Sequence, residues 1–206
     1  SSAYQRMMNT VLAGLTWQSA LVYIDDVTVY SKDFDEHLTR LVEVMQRFKD
    51  AGVTLKLTKC RFCITQMEFL GHVVSGDGIR PSPKKVQSIV DLKLPENLKE
   101  VRGFLGMTGW YRKFVRNYAS IARPLTDLTK KENKRGVAEA MKTEPCRQAF
   151  EKLKDALKGP GVMLIQPDFS KRFRVDLDAS TEQIGGVLLQ ETEEGWRPIE
   201  YLSKKL

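Results

Sequence analysis

The spacing of apolar residues changes twice along this 206-residue chain, and that change constrains the fold more than any single motif. The first part mixes helical spacing with short apolar runs, which predicts helices and strands together. The middle part has helical spacing, and the last part returns to a period of two. Purely helical and purely strand-based folds are therefore excluded. The sequence predicts an α+β fold in three modules, 1–78, 79–160 and 161–206.

Turn signals and periodicity place the individual elements. In the first module we expect helices at 3–15 and 34–51 and strands within 21–30, 53–57 and 67–79. In the second we expect helices at 82–92, 96–117, 120–130 and 145–159, with a polar loop at 130–144. In the third we expect strands at 173–180, 184–190 and 197–203.

The charge of the chain is concentrated in its middle. The net charge is +7, but residues 79–160 alone carry +10, and the flanking modules carry −1 and −2. A basic module beside acidic ones suits a polyanion held near carboxylates. A solvated, lysine-rich helical surface is the alternative, and charge alone does not separate the two.

Asp25-Asp26 interrupts the apolar segment LVYIDDVTVY, which predicts a hairpin with both carboxylates at its bend. Adjacent carboxylates repel each other unless a cation lies beside them, and Mg²⁺ binds one or two carboxylates together with substrate phosphates. Aspartate also favours solvated turns for its own conformational reasons. The apolar strands on both sides raise the weight of the metal-binding interpretation.

Other features narrow the class of protein. There is no apolar run of the roughly 18 residues that a membrane helix needs, and no signal-peptide layout. Three cysteines are too few to staple the fold, which favours a reducing compartment. Cys60 and Cys63 have only His72 nearby as a further zinc ligand, so we expect both to pack in the sheet.

The segment YIDDVTVYSKDFDEHLTRLVEVM resembles the palm motif of reverse transcriptases from gypsy-type LTR retrotransposons. The similarity continues in the family's order through KDAGVTLKLTKCRF, FLGHVVSGDGI, VRGFLGMTGWYRKFVRNYASIARPLTDLTKK, AFEKLKDAL and FRVDLDAS. It covers nearly the whole chain. The resemblance implies a partial polymerase palm with an antiparallel sheet, then a helical thumb, then the first strands of an RNase H-like domain.

The resemblance also implies roles for palm residues. Asp25 and Asp26 match the catalytic carboxylates that bind Mg²⁺, and Tyr23 matches a residue that packs beneath the primer end. Lys59 aligns with a lysine proposed to protonate the pyrophosphate leaving group, although a phosphate-neutralising or solvated lysine is an equal alternative. The sequence Phe69-Leu70-Gly71 resembles the primer grip, which positions the 3′ terminus.

In the thumb, the candidates for contacts with the nucleic-acid backbone are Lys84, Lys85, Arg102, Arg112, Lys113 and Arg116. Trp110 and Tyr111 are expected in the core, with contact to nucleic-acid sugars as the alternative. The glycines at 103, 106 and 109 are expected to allow close approach of nucleic acid or of another helix. Asp178 matches an RNase H carboxylate that serves as a two-metal ligand. The polar segment 133–146 departs from the family, which has an apolar-aromatic stretch there.

The family further implies a two-metal Mg²⁺ site in the complete enzyme, a primer–template duplex of RNA/DNA or DNA/DNA, and a dNTP substrate. It places the enzyme inside the cell, in the cytoplasm or in virus-like particles. The fingers, the third palm carboxylate and the later RNase H acids have no counterpart in this sequence, so we expect the chain alone to be inactive. Two hypotheses follow: a fragment of an active RNA-directed DNA polymerase, or a domesticated relic that binds nucleic acid or scaffolds an assembly without catalysis.

Overall fold

The structure, a computed structural model, describes residues 2–130, 136–159, 162–181 and 183–206. The chain forms two compact units, Ser1–Ile64 and Thr65–Leu206. Helices and antiparallel sheets occur together in it, which confirms the predicted α+β class. Within the described ranges, no helix combines the length and the apolar character needed to cross a bilayer.

The described part of the first unit contains two α-helices, a hairpin and a short 3₁₀ turn. Its elements are α1 (Ser2–Val11), β1 (Ala20–Tyr23), β2 (Asp26–Val29) and α2 (Phe34–Asp50). The Asp33 side chain begins α2 by accepting a hydrogen bond from the Glu36 N–H at 2.8 Å, because the first turn of a helix has N–H groups without partners. The buried core of this unit is formed by Met8, Leu12, Leu15, Ala20, Val44 and Phe48.

The strand predicted at 53–57 is wrong. Residues 53–56 are irregular and lead into a 3₁₀ turn, Leu57–Lys59. The apolar alternation is present, but among the described residues of this unit β1 and β2 form a sheet with no third strand, and Leu57 is left 70% exposed. Cys60 is half-buried, Cys63 is exposed, and neither lies in a strand. The expectation that both cysteines pack in the sheet is therefore also wrong.

The second unit opens with a three-stranded antiparallel sheet of β3 (Gln66–Phe69), β4 (His72–Ser75) and β5 (Gly78–Pro81). Gly78 has a φ of 142°, and a Cβ there would lie 2.2 Å from the Leu164 carbonyl oxygen. Ile79 and Leu164 exchange backbone hydrogen bonds of 2.7 and 2.9 Å. Only glycine permits this approach, so position 78 joins a distant segment to the sheet.

Five α-helices and a 3₁₀ turn follow in the described residues. They are α3 (Pro83–Val90), α4 (Leu98–Trp110), the 3₁₀ turn Arg112–Phe114, α5 (Tyr118–Leu128), α6 (Val137–Lys142) and α7 (Glu144–Ala156). The four helices predicted for the second module are confirmed, although α4 ends at Trp110 rather than at 117. The loop expected at 130–144 is wrong for residues 137–142, which form α6. Val137 and Met141 lie one helical turn apart in this helix, and both are buried. Residues 131–135 of that loop lie outside the described residues.

A second antiparallel sheet ends the chain, with β6 (Phe173–Ala179), β7 (Gln183–Thr192) and β8 (Gly195–Lys205). It joins the helices through α5: Lys205 Nζ donates to Asp127 Oδ1 at 2.6 Å, and the Ala119 N–H donates to Ser203 Oγ at 3.0 Å. The helical core centres on Phe104 and Phe150, whose rings are 4.5 Å apart. The boundaries of the three modules stay predictions, and the one at 160/161 lies outside the described residues.

Candidate active site and nucleic-acid interface

The carboxylate pair lies at the bend of the first hairpin, as the sequence predicts. Tyr23 pairs with Asp26 across β1 and β2, so the bend consists of Ile24 and Asp25. Both carboxylates are exposed, and the Tyr23 side chain is 49% exposed. The flanking valines hold the hairpin against the core of the first unit. The hairpin therefore presents two oxygen-rich side chains to solvent from a fixed base.

Gln5 supports this bend, a contact that the sequence did not suggest. Ile24 has a φ of 55°, in the left-handed region that β-branched residues avoid. The Gln5 Oε1 accepts a 2.5 Å hydrogen bond from the Ile24 N–H, and its Nε2 donates to the Val22 carbonyl at 3.4 Å. The available sequence signal was a polar residue three positions before Met8, on the buried side of α1.

The donor set at the bend fits a hard divalent cation. Asp25 and Asp26 supply carboxylate oxygens, and Mg²⁺ needs only one or two such ligands because it keeps several waters. Among the described residues, no group of three or more histidine, cysteine, aspartate or glutamate side chains is placed to hold a metal. The two carboxylates would therefore share the cation with phosphate or water oxygens.

Two further predicted catalytic residues are exposed. Lys59 ends the 3₁₀ turn of the first unit. Asp178 lies near the end of β6, opposite Gly185 of β7. Its neighbour on the same face, Asp176, is held by Arg174 through hydrogen bonds of 2.6 and 2.7 Å, which lower the pKa of the Asp176 carboxyl. Of these two acids, Asp178 is the one not engaged by Arg174.

The predicted primer-grip residues form the bend between β3 and β4. Phe69 pairs with His72, which leaves Leu70 and Gly71 as the two turn residues. The Tyr111 hydroxyl donates to the Gly71 carbonyl at 2.8 Å, a contact that the sequence did not suggest. Burial and the nearby Glu68 carboxylate raise the pKa of Tyr111, so its hydroxyl stays protonated as a donor.

The surroundings of His72, beside this turn, favour the neutral form of its imidazole. Burial, and then the nearby Lys113 charge, lower the pKa of its imidazole, and a hydrogen bond to the Leu70 carbonyl opposes them. Because a carbonyl can only accept, Nδ1 carries the proton that binds Leu70 at 3.0 Å. Nε2 then has only a lone pair, and it is buried with no hydrogen-bond partner among the described residues.

The six basic candidates differ in their surroundings. Lys84, Lys85, Arg102 and Arg116 are exposed. Arg112 is exposed but donates to the Ser203 carbonyl and lies 5.6 Å above the Tyr118 ring. Lys113 is half-buried and lies 5.2 Å from the Phe114 ring centre, and burial lowers the pKa of its ammonium group.

One side of α4 is open. A Cβ added at Gly103 or Gly106 would meet nothing within 4 Å, so these glycines leave a shallow, exposed stretch of helix. Trp110 is 60% exposed, whereas Tyr111 is 4% exposed. The expectation that both aromatics lie in the core is therefore right for Tyr111 and wrong for Trp110, because α4 ends between them and turns the second ring inward.

Two protein families match separate parts of the chain. Residues 1–74 match the family described as reverse transcriptase (RNA-dependent DNA polymerase), and residues 143–206 match an RNase H-like domain found in reverse transcriptase. Two relatives from Drosophila melanogaster are the retrovirus-related Pol polyproteins from transposon 297 and transposon gypsy, 41% and 36% identical over the whole chain. The chain spans 18% and 20% of their lengths.

Solved structures with the same fold come from foamy virus. A protease–reverse transcriptase in complex with double-stranded DNA matches 99% of the chain with a TM-score of 0.82 and 25% identity. The protease–reverse transcriptase in complex with an RNA/DNA hybrid matches 97% of the chain with a TM-score of 0.74, also at 25% identity. The chain covers 35% and 26% of those two proteins.

Proposed function

Because the chain belongs to the reverse transcriptase family of gypsy-type Pol polyproteins, we propose that it contributes to RNA-directed DNA synthesis. Its reaction is nucleotidyl transfer from a dNTP onto a primer paired with a template. The chain spans about a fifth of its curated relatives, so it acts as part of a longer polypeptide with an adjoining RNase H. Its three free cysteines support a reducing, intracellular setting.

The observation that carries this proposal is the exposed carboxylate pair at a fixed hairpin bend. Asp25 and Asp26 would hold Mg²⁺, which when bound would supply charge that offsets the negative charge developing on the reacting phosphate. Tyr23 supports the primer end, and Lys59 donates a proton to the pyrophosphate leaving group. Asp178 plays the corresponding metal-binding part in the RNase H portion.

Duplex binding is the second part of the proposal. The structurally similar foamy virus proteins were solved with double-stranded DNA and with an RNA/DNA hybrid. In this chain the module with a net charge of +10 exposes five of its six candidate basic residues. Phosphate contacts of this kind give affinity that is independent of sequence and falls with salt. The open glycines and exposed Trp110 of α4 offer a surface on which a duplex backbone can lie closely.

Primer extension tests the proposal. The chain, expressed with the polyprotein segment that precedes it in its relatives, should extend a labelled DNA primer on an RNA template in the presence of Mg²⁺. Asp25→Asn and Asp26→Asn should each lower the extension rate at least a hundredfold, because each removes a charged metal ligand. Asp50→Asn is the matched control, since it neutralises an exposed aspartate at the end of α2 and should leave the rate unchanged.

A folded protein that binds duplex but extends no primer would contradict the polymerase proposal and would favour the non-catalytic binding or scaffold role. Equal losses in Asp25→Asn and Asp50→Asn would show that the carboxylate pair has no special part in the reaction. Extension by the chain alone would show that the residues present here suffice.

A further inference from the structure

The turn between β3 and β4 has an unusually constrained backbone. Leu70 and Gly71 both lie in the left-handed region, with φ of 49° and 76°. Two-residue hairpin turns of this kind match the twist of the strands, but a leucine in that region is strained. The conformation therefore needs support from the groups around it.

Three hydrogen bonds provide that support through the two turn carbonyls. The Leu70 carbonyl accepts from His72 Nδ1 at 3.0 Å. The Gly71 carbonyl accepts from the Ser82 N–H at 2.9 Å and from the Tyr111 hydroxyl at 2.8 Å. Of the three donors, Tyr111 is the one that comes from α4 and its C-terminal end.

Gly71 is what allows Tyr111 to reach the turn. A Cβ at position 71 would lie 3.2 Å from the Tyr111 hydroxyl oxygen and 3.7 Å from Trp110 Nε1. The first distance is tighter than ordinary van der Waals contact, so a side chain at 71 would push the hydroxyl away. Glycine here serves both the left-handed φ and the close approach.

Aromatic packing adds to the hydrogen bond. The His72 ring lies 6.1 Å from the Trp110 ring, 5.5 Å from the Tyr111 ring and 5.6 Å from the Phe114 ring. These three aromatics are at or just beyond the C-terminal end of α4. The turn and the end of α4 are therefore held as one body.

We infer that Tyr111 is a positioning residue: its hydroxyl couples the end of α4, which carries the open glycine surface, to the turn at Leu70-Gly71. The inference rests on the proposed function, in which α4 contacts the duplex, and on the resemblance of Phe69-Leu70-Gly71 to the primer grip, which positions the primer terminus. Contact of a duplex with α4 is then transmitted to the turn through the Tyr111–Gly71 hydrogen bond, which the aromatic packing around His72 supports. Variants can then change duplex affinity and alignment of the primer terminus separately. The surface of α4 determines the affinity, and the Tyr111 hydroxyl determines the alignment.

Tyr111→Phe tests this inference, since it removes only the hydroxyl. In the polyprotein form used for primer extension, we expect the dissociation constant for primer–template to stay within twofold of wild type. The single-turnover extension rate should fall about tenfold, because a misaligned terminus reacts slowly. Tyr118→Phe is the matched control: it removes a buried hydroxyl, bonded to Thr108 and Leu105, that does not touch the turn.

Hydrogen exchange of the chain itself gives a readout that does not depend on activity. In Tyr111→Phe the amides of residues 70–72 should exchange about tenfold faster, whereas Tyr118→Phe should leave them unchanged. Unchanged exchange in Tyr111→Phe overturns the coupling, whatever the enzyme does. A wild-type rate in Tyr111→Phe, or a loss matched by Tyr118→Phe, overturns the positioning role, and a wild-type protein that extends no primer overturns the proposed function instead.

Discussion

Ile24 adopts a left-handed backbone conformation directly before Asp25. A β-branched residue in this region carries roughly 1–3 kcal/mol of strain. Gln5 offsets part of that cost, since it pairs the Ile24 N–H and also reaches the Val22 carbonyl. Strained backbone of this kind is concentrated at functional sites. At this bend the left-handed conformation of Ile24 orients the two carboxylates relative to the hairpin.

His72 makes the stability of the second unit depend on pH. Burial lowers the pKa of its imidazole below the ordinary 6.5, so below pH 6.5 the unfolded chain binds the proton more readily than the folded chain. The free energy of unfolding should therefore fall as the pH drops from 6.5 toward the folded-state pKa. One proton limits this slope to about 1.4 kcal/mol per pH unit. Urea unfolding between pH 5 and 8 measures it.

His72→Phe keeps a ring among the aromatics and removes the titrating group. The variant should lose this part of the pH dependence, whereas His37→Gln, which retains His72, should preserve it. An identical pH profile in His72→Phe and wild type would show that His72 does not bind its proton differently in the folded and unfolded states.

At the scale of elements, local patterns predicted most of the architecture. The hairpin around Asp25 and four helices follow from spacing and turn residues that lie within a few positions of one another. The prediction of a strand at 53–57 was wrong because alternation of apolar residues does not show whether a partner strand lies beside the segment. Alternation also shows which residues share a face but not which face is covered: Leu177 of β6 is 72% exposed. The Tyr111–Gly71 contact joins residues 40 positions apart, beyond any local signal.

Gln190 of β7 is expected to be a main support of the last sheet. It is 1% exposed, and its amide accepts from the Asp168 N–H and donates to the Asp168 carbonyl, both at 2.7 Å. The Gln190 amide thereby binds both backbone groups of Asp168, in the segment before β6, in the way that a residue of a neighbouring strand would. Gln190→Leu removes both bonds at similar volume and should lower the free energy of unfolding by about 2–4 kcal/mol, as measured by urea titration.

The exposed Gln148 is a suitable control for that measurement. It bonds Glu144 at 2.7 Å on the surface of α7, and Gln148→Leu should change the free energy of unfolding by less than about 0.5 kcal/mol. If the two substitutions cost the same, burial of the Gln190 bonds would not be the source of their stability.

For the whole molecule, the distribution of charge matters more than its sum. A net charge of +7 would attract any polyanion weakly, but +10 within residues 79–160 concentrates the attraction on one module. Lys84 and Lys85 are adjacent and exposed at the start of α3, outside the helical core. We therefore expect these two lysines to contribute more to duplex binding than two exposed lysines elsewhere in the chain, although both pairs carry the same charge.

Neutralising both lysines, Lys84→Gln with Lys85→Gln, should weaken binding to a random-sequence DNA duplex. If each lysine contacts one phosphate, the slope of log affinity against log salt should fall by about 1.8, which fluorescence anisotropy between 50 and 200 mM salt can resolve. Lys32→Gln with Lys49→Gln removes the same charge from exposed positions of the first unit and should leave the slope nearly unchanged. Equal effects from the two pairs would mean that net charge alone governs binding, and a slope indifferent to Lys84 and Lys85 would exclude the start of α3 from the duplex-binding surface.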